Sequence, residues 1–569
     1  MSMTTEEPRV QFDIEKVIIS GFKRIRKPLT INMKKSQLNI IVGNNGEGKS
    51  TILEAIHLAL TGLYRGEPIQ RALSQALFNK GDVADFIKNA DSGDFSRLPE
   101  IKIEVYLGGG DGHIAEYLSG AVNSEKSRHC GFTFSILFDE DYRDELESLQ
   151  KNSLKSLPIE YYEAKWMTFG DASITPRKIP VRSVMINPAG DWQGSRADER
   201  ATRVLINGLD EEHQMALARE ARIALDTLSA KDALKKANGS LPTIGIEGIG
   251  DIDIATDHGT TDSWKKNIVV RLEGVPYGHI GAGSQSMIQA GIALAKERPE
   301  KTTLLLFEEP ENHLSHTNLS KLIRLIADGA DGRKVIVTTH SSYVANVLGL
   351  GNLQIVGSDS QQPHCSPLAD LSPETLGFFR KLPGYDTLRL VLSKAAILVE
   401  GPSDELIVQL AYRRTHNNRL PIEDGIDVIS VGSGFLRFLE IAKSIKKRVL
   451  VLTDNDGNTA ALDKKYEDYS SVDYVHLGYV RKESKPDDPN NIDPDKKLNW
   501  NTLEAEMLRA NGLERLEDIL GRKGDCNASL LKYMEGNKTD TALALFDAGE
   551  KVGIPEYISE GIRWLDEKC

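Results

Sequence analysis

No stretch of this 569-residue chain approaches 18 consecutive apolar residues, so no membrane-crossing helix is expected. The first residues, MSMTTEEPRVQFDIE, lack the basic start and apolar run of a secretion signal. Cysteine is scarce, with only four, at positions 130, 365, 526 and 569. Gaps that wide exclude a CxxC zinc ribbon and suggest no disulfide framework, so a reducing, cytoplasmic setting is the expectation. Positive charge is short as well: 70 Lys and Arg stand against 83 Asp and Glu, a formal net charge of −13. That balance argues against a general coat of nucleic-acid affinity. It leaves room for a local basic groove, because phosphate binding needs clustered Lys and Arg rather than a basic average. An acidic protein that cuts DNA would need divalent cations to offset its own carboxylates.

What is present is enough to fold. Apolar residues make up 40% of the chain and charged ones 27%, which supports large cores and excludes wholesale disorder. The length suggests three or four units of roughly 150 residues each. Short β-branched runs recur: VIISGF at 17–22, LNIIVG at 38–43, IKIEVYL at 101–107, TLLLFEE at 303–309, KVIVTT at 334–339, KAAILVE at 394–400, VISVG at 428–432 and RVLVLTD at 448–454. They read as buried strands of parallel sheets, and their alternation with helical patterns gives an α/β fold class. The segment from about 195 to 240 is charged, rich in Ala and Leu, and helical in period, with breaks at Gly208 and Gly239. It is either a helical insertion packed on the main domain or a dimerisation arm. Residues 360–385, rich in Pro and polar side chains, look like a hinge between two α/β units, and 481–497 like an exposed loop. No internal repeat is found.

Gly43-Asn44-Asn45-Gly46-Glu47-Gly48-Lys49-Ser50-Thr51 matches G-x-x-x-x-G-K-[ST], after LNIIV and before TILEAIHLAL. That is the strand–loop–helix context a phosphate-binding P-loop requires. The glycines let backbone N–H groups curl around phosphates, Lys49 reaches the β and γ oxygens, and Ser50 ligates Mg²⁺. ATP with Mg²⁺ is therefore the expected ligand.

In TLLLFEEPENHL a strand delivers Glu308 and Glu309 at its C-terminal end, where ligands of open α/β sheets sit. As a Walker B element, the first carboxylate holds the magnesium shell and the second polarises the attacking water. The first is Glu308 rather than the usual Asp. The next strand leads into His340, placed to hydrogen-bond a γ-phosphate. Between these elements, His279-Ile280-Gly281-Ala282-Gly283-Ser284-Gln285-Ser286 precedes a helix. It resembles the signature of ABC-type ATPases, with Ala282-Gly283-Ser284-Gln285 in place of Ser-Gly-Gly-Gln. Such a helix start presents backbone amides to an anion, in this ATPase class the γ-phosphate held by another subunit. One P-loop and one signature per chain imply a homodimer or higher homo-oligomer. The opening VIISGFKRIRKPLTINM also resembles the first hairpin of ABC ATPases of the chromosome-maintenance and recombination type. Here 308 − 49 = 259 residues separate Lys49 from Glu308, and only about 45 form a clear helical stretch. A long coiled-coil clamp is excluded.

The C-terminal part carries KAAILVEGPSDELIVQLAYRR and then RVLVLTDNDGN. One strand leads to Glu400, with Asp404 opening the next helix; another leads to Asp454 and Asp456, whose spacing puts both on one side of an extended chain. Carboxylates gathered at the ends of adjacent parallel strands repel and raise their own pKa values. Divalent metal relieves that repulsion, and hard oxygen ligands favour Mg²⁺ or Mn²⁺. Glu504, in NWNTLEAEML, is either a further ligand or the third residue of a capping box on Asn501. Lys538, in EGNKTDTALALF, could stabilise negative charge developing on a phosphate oxygen. The EGxxD and DxD pair resembles the Toprim fold of topoisomerases, primases and certain nucleases.

The two halves together resemble the overcoming-lysogenization-defect (OLD) nucleases, an ABC ATPase fused to a Toprim nuclease. The resemblance runs through the ATPase motifs, KLPGYDTLRLVLSKAAILVEG, and the tail NKTDTALAL and GIPEYISEGIRWL. It implies ATPase segments at 1–190 and 246–385, a helical dimerisation insertion at 191–245, and a Toprim nuclease domain at 386–569. It implies Glu400, Asp404, Asp454, Asp456 and Glu504 as metal ligands and Lys538 as catalytic lysine. Family members act as DNA nucleases, several in defence against phage and some paired with a helicase-like partner protein. The expected activity is metal-dependent DNA cutting governed by ATP. The rival readings are a DNA-binding clamp or sensor with a scaffold Toprim domain, and a strand-passing topoisomerase, for which none of the 16 tyrosines stands in an assignable motif. A primase is disfavoured, since the cysteines cannot form a zinc module.

Overall fold

A computed structural model of the chain describes residues 12–33, 37–91, 94–110, 112–148, 154–187, 206, 211–241, 253–257, 264–265, 268–295, 302–329, 333–359, 362–368, 370–481 and 498–568. The chain falls into two compact units. One comprises Met1–Glu15, Ile52–Leu77 and Asn89–Thr338; the other comprises Lys16–Thr51, Phe78–Lys88 and Thr339–Cys569.

In the first unit the strands Val181–Ile186, Thr302–Glu308 and Val335–Thr338 run parallel. Leu304 to Phe307 and Val335 to Val337 are all buried, and burial on both faces is why these strands read as unbroken apolar runs. The helices Ala282–Ala295 and His316–Gly329 pack on each other. The strands Ile101–Gly109, His129–Phe138 and Tyr162–Thr168 pair antiparallel, with Phe134 and Trp166 rings 4.7 Å apart across the ladder. The expectation of parallel pairing thus fails for the run at 101–107. It fails also for 17–22, since Phe12–Ser20 pairs antiparallel with Leu29–Asn32 in the second unit's register. A connection of that length can return a strand only as a hairpin, because a parallel return needs a longer crossover. Of the expected helical insertion, Glu211–Ser229 and Asp232–Asn238 are described. The break at Gly239 is the C-cap of the second helix, while that at Gly208 lies outside the described residues.

In the second unit Leu38–Val42 runs parallel to Leu353–Asp359, which pairs antiparallel with Gln362–Pro367. The expected hinge at 360–385 is instead ordered structure: that edge strand and the helix Pro373–Lys381. Proline tolerates an edge strand, where its missing N–H is not called upon. Pro373 begins the helix that Ser372 caps by accepting from Thr375 N. The loop expected at 481–497 lies almost entirely outside the described residues.

The C-terminal sheet has four parallel strands in the order Ile426–Ser430, Ala395–Val399, Arg448–Leu452, Val475–Gly478. All five residues of Ala395–Val399 are fully buried. The helices Pro402–Thr415 and Lys538–Ala548 pack together, and Glu556–Lys568 packs on the last two strands. Among the described residues no helix is long and apolar enough to cross a membrane.

Candidate functional site

The P-loop bends as its glycines allow. Gly46 has φ +83° and Gly48 φ +102°, the region that glycine alone enters without strain. The helix Lys49–Thr61 starts at the lysine itself. Lys49 is buried, and its Nζ donates to Gly43 O (2.9 Å) and Asn44 O (3.2 Å). Asn44 N donates to Glu47 Oε2 at 2.6 Å. Asn45 is exposed, Ser50 is half-buried and Thr51 buried. The Arg24 guanidinium donates to Gly46 O, a contact that no motif in the sequence announces.

In the first unit, Glu308 ends its strand and accepts from Asn187 Nδ2. Asn187 follows the strand Val181–Ile186, whose Ile186 is in register with Phe307. Its only sequence signal was an Asn after an apolar run, in a region where no motif was found. Glu309 N donates to Thr338 O (2.9 Å), and Glu309 Oε2 accepts from Asn312 Nδ2 (2.8 Å). Glu309 has φ +43°, a conformation that costs a non-glycine residue about 1 kcal/mol or more. The signature helix begins at Ala282 with Ser284 exposed. A Cβ on Gly283 would sit 2.7 Å from His313 O. Gln285 is buried and turned inward, its Nε2 donating to Tyr277 O (2.9 Å) and Ile280 O (3.0 Å). In the second unit His340 is half-buried, just before the helix Ser342–Leu348, which Ser341 caps.

The carboxylates gather at the C-terminal edge of the four-stranded sheet. The central strands Ala395–Val399 and Arg448–Leu452 are parallel neighbours and lead to Glu400 and Asp454. Asp404 sits in the first turn of Pro402–Thr415 and accepts from Gly401 N at 3.0 Å. Burial, then the charges of Glu400 and Glu504, push Asp404 up to about 6 against that hydrogen bond. Burial pushes Asp454 up to about 8, with Asp404, Glu504 and Glu400 adding to the rise and Lys538 opposing it. Glu504 is 5% exposed, and its Oε2 has no hydrogen-bond partner. Its Oε1 lies 3.4 Å from Lys538 Nζ. Burial acts to lower the Lys538 pKa, but Glu504, then Asp454 and Asp404, outweigh it and hold the ammonium charged.

Two expectations change here. The capping box on Asn501 does not form: Thr502 is the N-cap of Leu503–Asn511, with no side-chain cap, and Glu504 is turned into the protein. Asp456 does not share a side with Asp454. The strand ends at Leu452, buried Asn455 donates to Val480 O (2.6 Å) and accepts from Gly457 N (2.9 Å), and this turn puts Asp456 at φ +48°. Asp456 is exposed and accepts from Asn499 Nδ2 at 3.0 Å. Tyr557, which stands in no recognisable motif, feels Asp454, Asp404, Glu506 and Glu504; burial first, then those charges, hold its hydroxyl well above the usual range.

Hard oxygen donors, two carboxyls driven toward neutrality and one orphaned buried oxygen suit a divalent cation in chemistry and charge. Among the described residues, however, no three His, Cys, Asp or Glu side chains converge closely enough to form a ligand shell.

The fold and these motifs define a P-loop ATPase joined to a Toprim domain. Residues 16–161 match the family described as "AAA domain". Residues 185–346 match "AAA domain, putative AbiEii toxin, Type IV TA system", and 391–456 match "Overcoming lysogenization defect protein-like, TOPRIM domain". In that order, AAA ATPase domains followed by an OLD-like Toprim domain, they match the arrangement of an OLD-family ABC ATPase–Toprim fusion. Among solved structures, it is similar to the SMC head domain from Thermotoga maritima at 12% identity and TM-score 0.28, over 63% of this chain and 99% of that one. It is similar to the recombination mediator RecF bound to ATP at 11% identity and TM-score 0.31, over 59% and 94%. No curated protein matches.

Proposed function

We propose that this protein is a metal-dependent DNA endonuclease whose cutting is governed by ATP at its ABC half, acting as a homodimer or higher oligomer, in phage defence or DNA processing. The observation that carries the reading is the carboxylate set at the ends of two adjacent parallel strands, with Asp454 held up to about 8. A scaffold has no need for such mutual repulsion, whereas a cation site does.

In this reading Glu400, Asp404, Asp454 and Glu504 hold Mg²⁺ or Mn²⁺. Bound cations supply an activated water and charge stabilisation for in-line displacement at phosphorus. Asp456, exposed and held by Asn499, stands outside this group. Lys538, kept charged, sits beside the group and meets the negative charge that develops on the phosphate. On the ATPase side, Lys49, Ser50 and the P-loop amides hold the nucleotide and Glu308 the magnesium shell. Glu309 orients the attacking water, His340 contacts the γ-phosphate, and Gly283, Ser284 and Gln285 present the signature to a second copy. For Gln285 this requires release from Tyr277 and Ile280. The helix Glu211–Ser229, with Met215 68% and Leu228 53% exposed, offers apolar surface to that copy.

The absence of a convergent ligand shell among the described residues favours the rival reading, a binding clamp that does not cut. Plasmid nicking with Mg²⁺ or Mn²⁺, with and without ATP, separates the two. Wild-type cleavage that vanishes in Glu400→Ala and Asp454→Ala at every metal concentration supports the endonuclease. Wild-type cleavage by both variants would place the active centre elsewhere.

A further inference from the structure

We propose that the short helix Thr387–Leu392 is a mechanical link through which the nuclease strand senses the nucleotide state of the P-loop. This rests on the ATP-governed reading above and names the route that reading lacks.

The helix is held at three points, all within the second unit. The P-loop side chain Asn44 donates from Nδ2 to Leu392 O, at the helix's C-terminal end, at 3.2 Å. At the other end, the helix that follows His340 grips it: Leu388 N donates to Ser342 Oγ (3.1 Å), and Thr387 Oγ1 donates to Asn346 Oδ1 (2.7 Å). Asn346 Nδ2 also donates to Pro383 O and Tyr385 O, fixing the approach to the helix. The third point is the C-terminal sheet itself, where Arg389 donates to Asp427 Oδ1 (3.0 Å) and Val428 O (2.9 Å). Three residues past Leu392 the strand Ala395–Val399 begins, and it leads straight to Glu400.

The P-loop end of this link must change when nucleotide binds. Lys49 now spends its ammonium protons on Gly43 O and Asn44 O, and it has to release them to reach a phosphate. Glu47 occupies the Asn44 amide, an anion lodged on the loop that is to receive a larger one. Moving either shifts the Asn44 backbone, and its side chain carries that shift to Leu392. Opposite the loop, the Lys447 ammonium donates to Ser393 O, next to Leu392. Burial depresses it to about 8, and Glu47 is the charge that counters the fall. A displaced Glu47 therefore also alters the hold on Ser393. A buried, hydrogen-bonded strand moves as a body, so the displacement is delivered to Glu400.

The test uses the full chain. ATP binding is first followed by thermal shift. Amide hydrogen exchange over 386–400 is then measured with and without ATP in wild type, Thr387→Val and Lys447→Met. A coupling of ordinary size predicts a change in exchange of roughly 5- to 150-fold in wild type on ATP addition. Both variants should still bind ATP, with the change reduced to within about twofold. Exchange over this segment that ignores bound ATP in wild type, or a wild-type response in both variants, overturns the link. If wild type shows the exchange response yet cuts no DNA, the nuclease reading fails and the link stands. If ATP does not bind, both fall. Thr387→Val keeps the side-chain volume, and Lys447 is only half-buried, so at least one variant is expected to fold.

Discussion

Lys538 Nζ lies 3.4 Å from Glu504 Oε1, and the two are unequally placed: the lysine side chain is 52% exposed, the glutamate 6%. An exposed cation thus meets a buried carboxylate whose second oxygen has no hydrogen-bond partner.

Removing that lysine should slow chemistry without abolishing DNA binding, because one lysine is a small part of the phosphate contacts. For Lys538→Ala we expect nicking to fall roughly 10²- to 10³-fold, as when a donor to developing charge is lost, with DNA affinity within about threefold of wild type. Rates at saturating DNA, with affinity from a gel-shift titration, check this. An unchanged rate would return Lys538 to a surface role.

The raised carboxyls make the metal-free protein sensitive to pH. Asp404 and Asp454 hold protons in the folded state that the unfolded chain releases near 3.8. Their contribution is therefore complete below that value, and it is lost as pH rises through about 6 for Asp404 and about 8 for Asp454. Asp454→Asn removes most of the decline. In chelator, that variant should be more stable than wild type at pH 8 by about 1–3 kcal/mol and nearly equal at pH 4. Added Mg²⁺ should raise the wild-type melting temperature more than that of the variant. Thermal melts across pH, with and without metal, decide it.

On the ATPase side, Glu309→Gln should bind ATP and hydrolyse it roughly 10²- to 10⁴-fold more slowly. Asn312, which donates to Glu309 Oε2, is a positioning residue. Asn312→Ala should cost about tenfold in kcat with little change in KM, consistent with the loss of one charge-assisted hydrogen bond. Steady-state ATP hydrolysis reports both, and wild-type turnover by Glu309→Gln would remove the Walker B assignment.

Assembly is tested on the helix Glu211–Ser229. Met215→Glu with Leu228→Glu places charge on positions that are exposed in the single chain and so should leave the fold intact. Light scattering should then show a shift toward monomer, and a turnover assay a loss of ATP hydrolysis, as the proposed pairing of one copy's signature with another copy's P-loop requires. A variant that stays oligomeric and active would relocate the interface.

The sequence by itself determined the strands at 38–43, 303–309, 334–339, 394–400 and 448–454, the P-loop turn with its glycines, and the Toprim domain. These signals are local: buried parallel strands are continuous apolar runs, and phosphate loops need glycine at set positions. Only the tertiary structure decided which polar groups meet. Asn187 and Glu308 stand 121 positions apart, and nothing in either segment announces the other. Asp456 looked like the twin of Asp454 until the Asn455 turn sent it outward. Glu504 stood between ligand and cap until the structure put Thr502 at the N-cap and Lys538 against the carboxylate. Pro363 and Pro367 suggested a hinge, yet an edge strand accommodates them. In each case a side chain's role depended on partners that only chain closure brings near, and spacing along one segment carries no information about those partners.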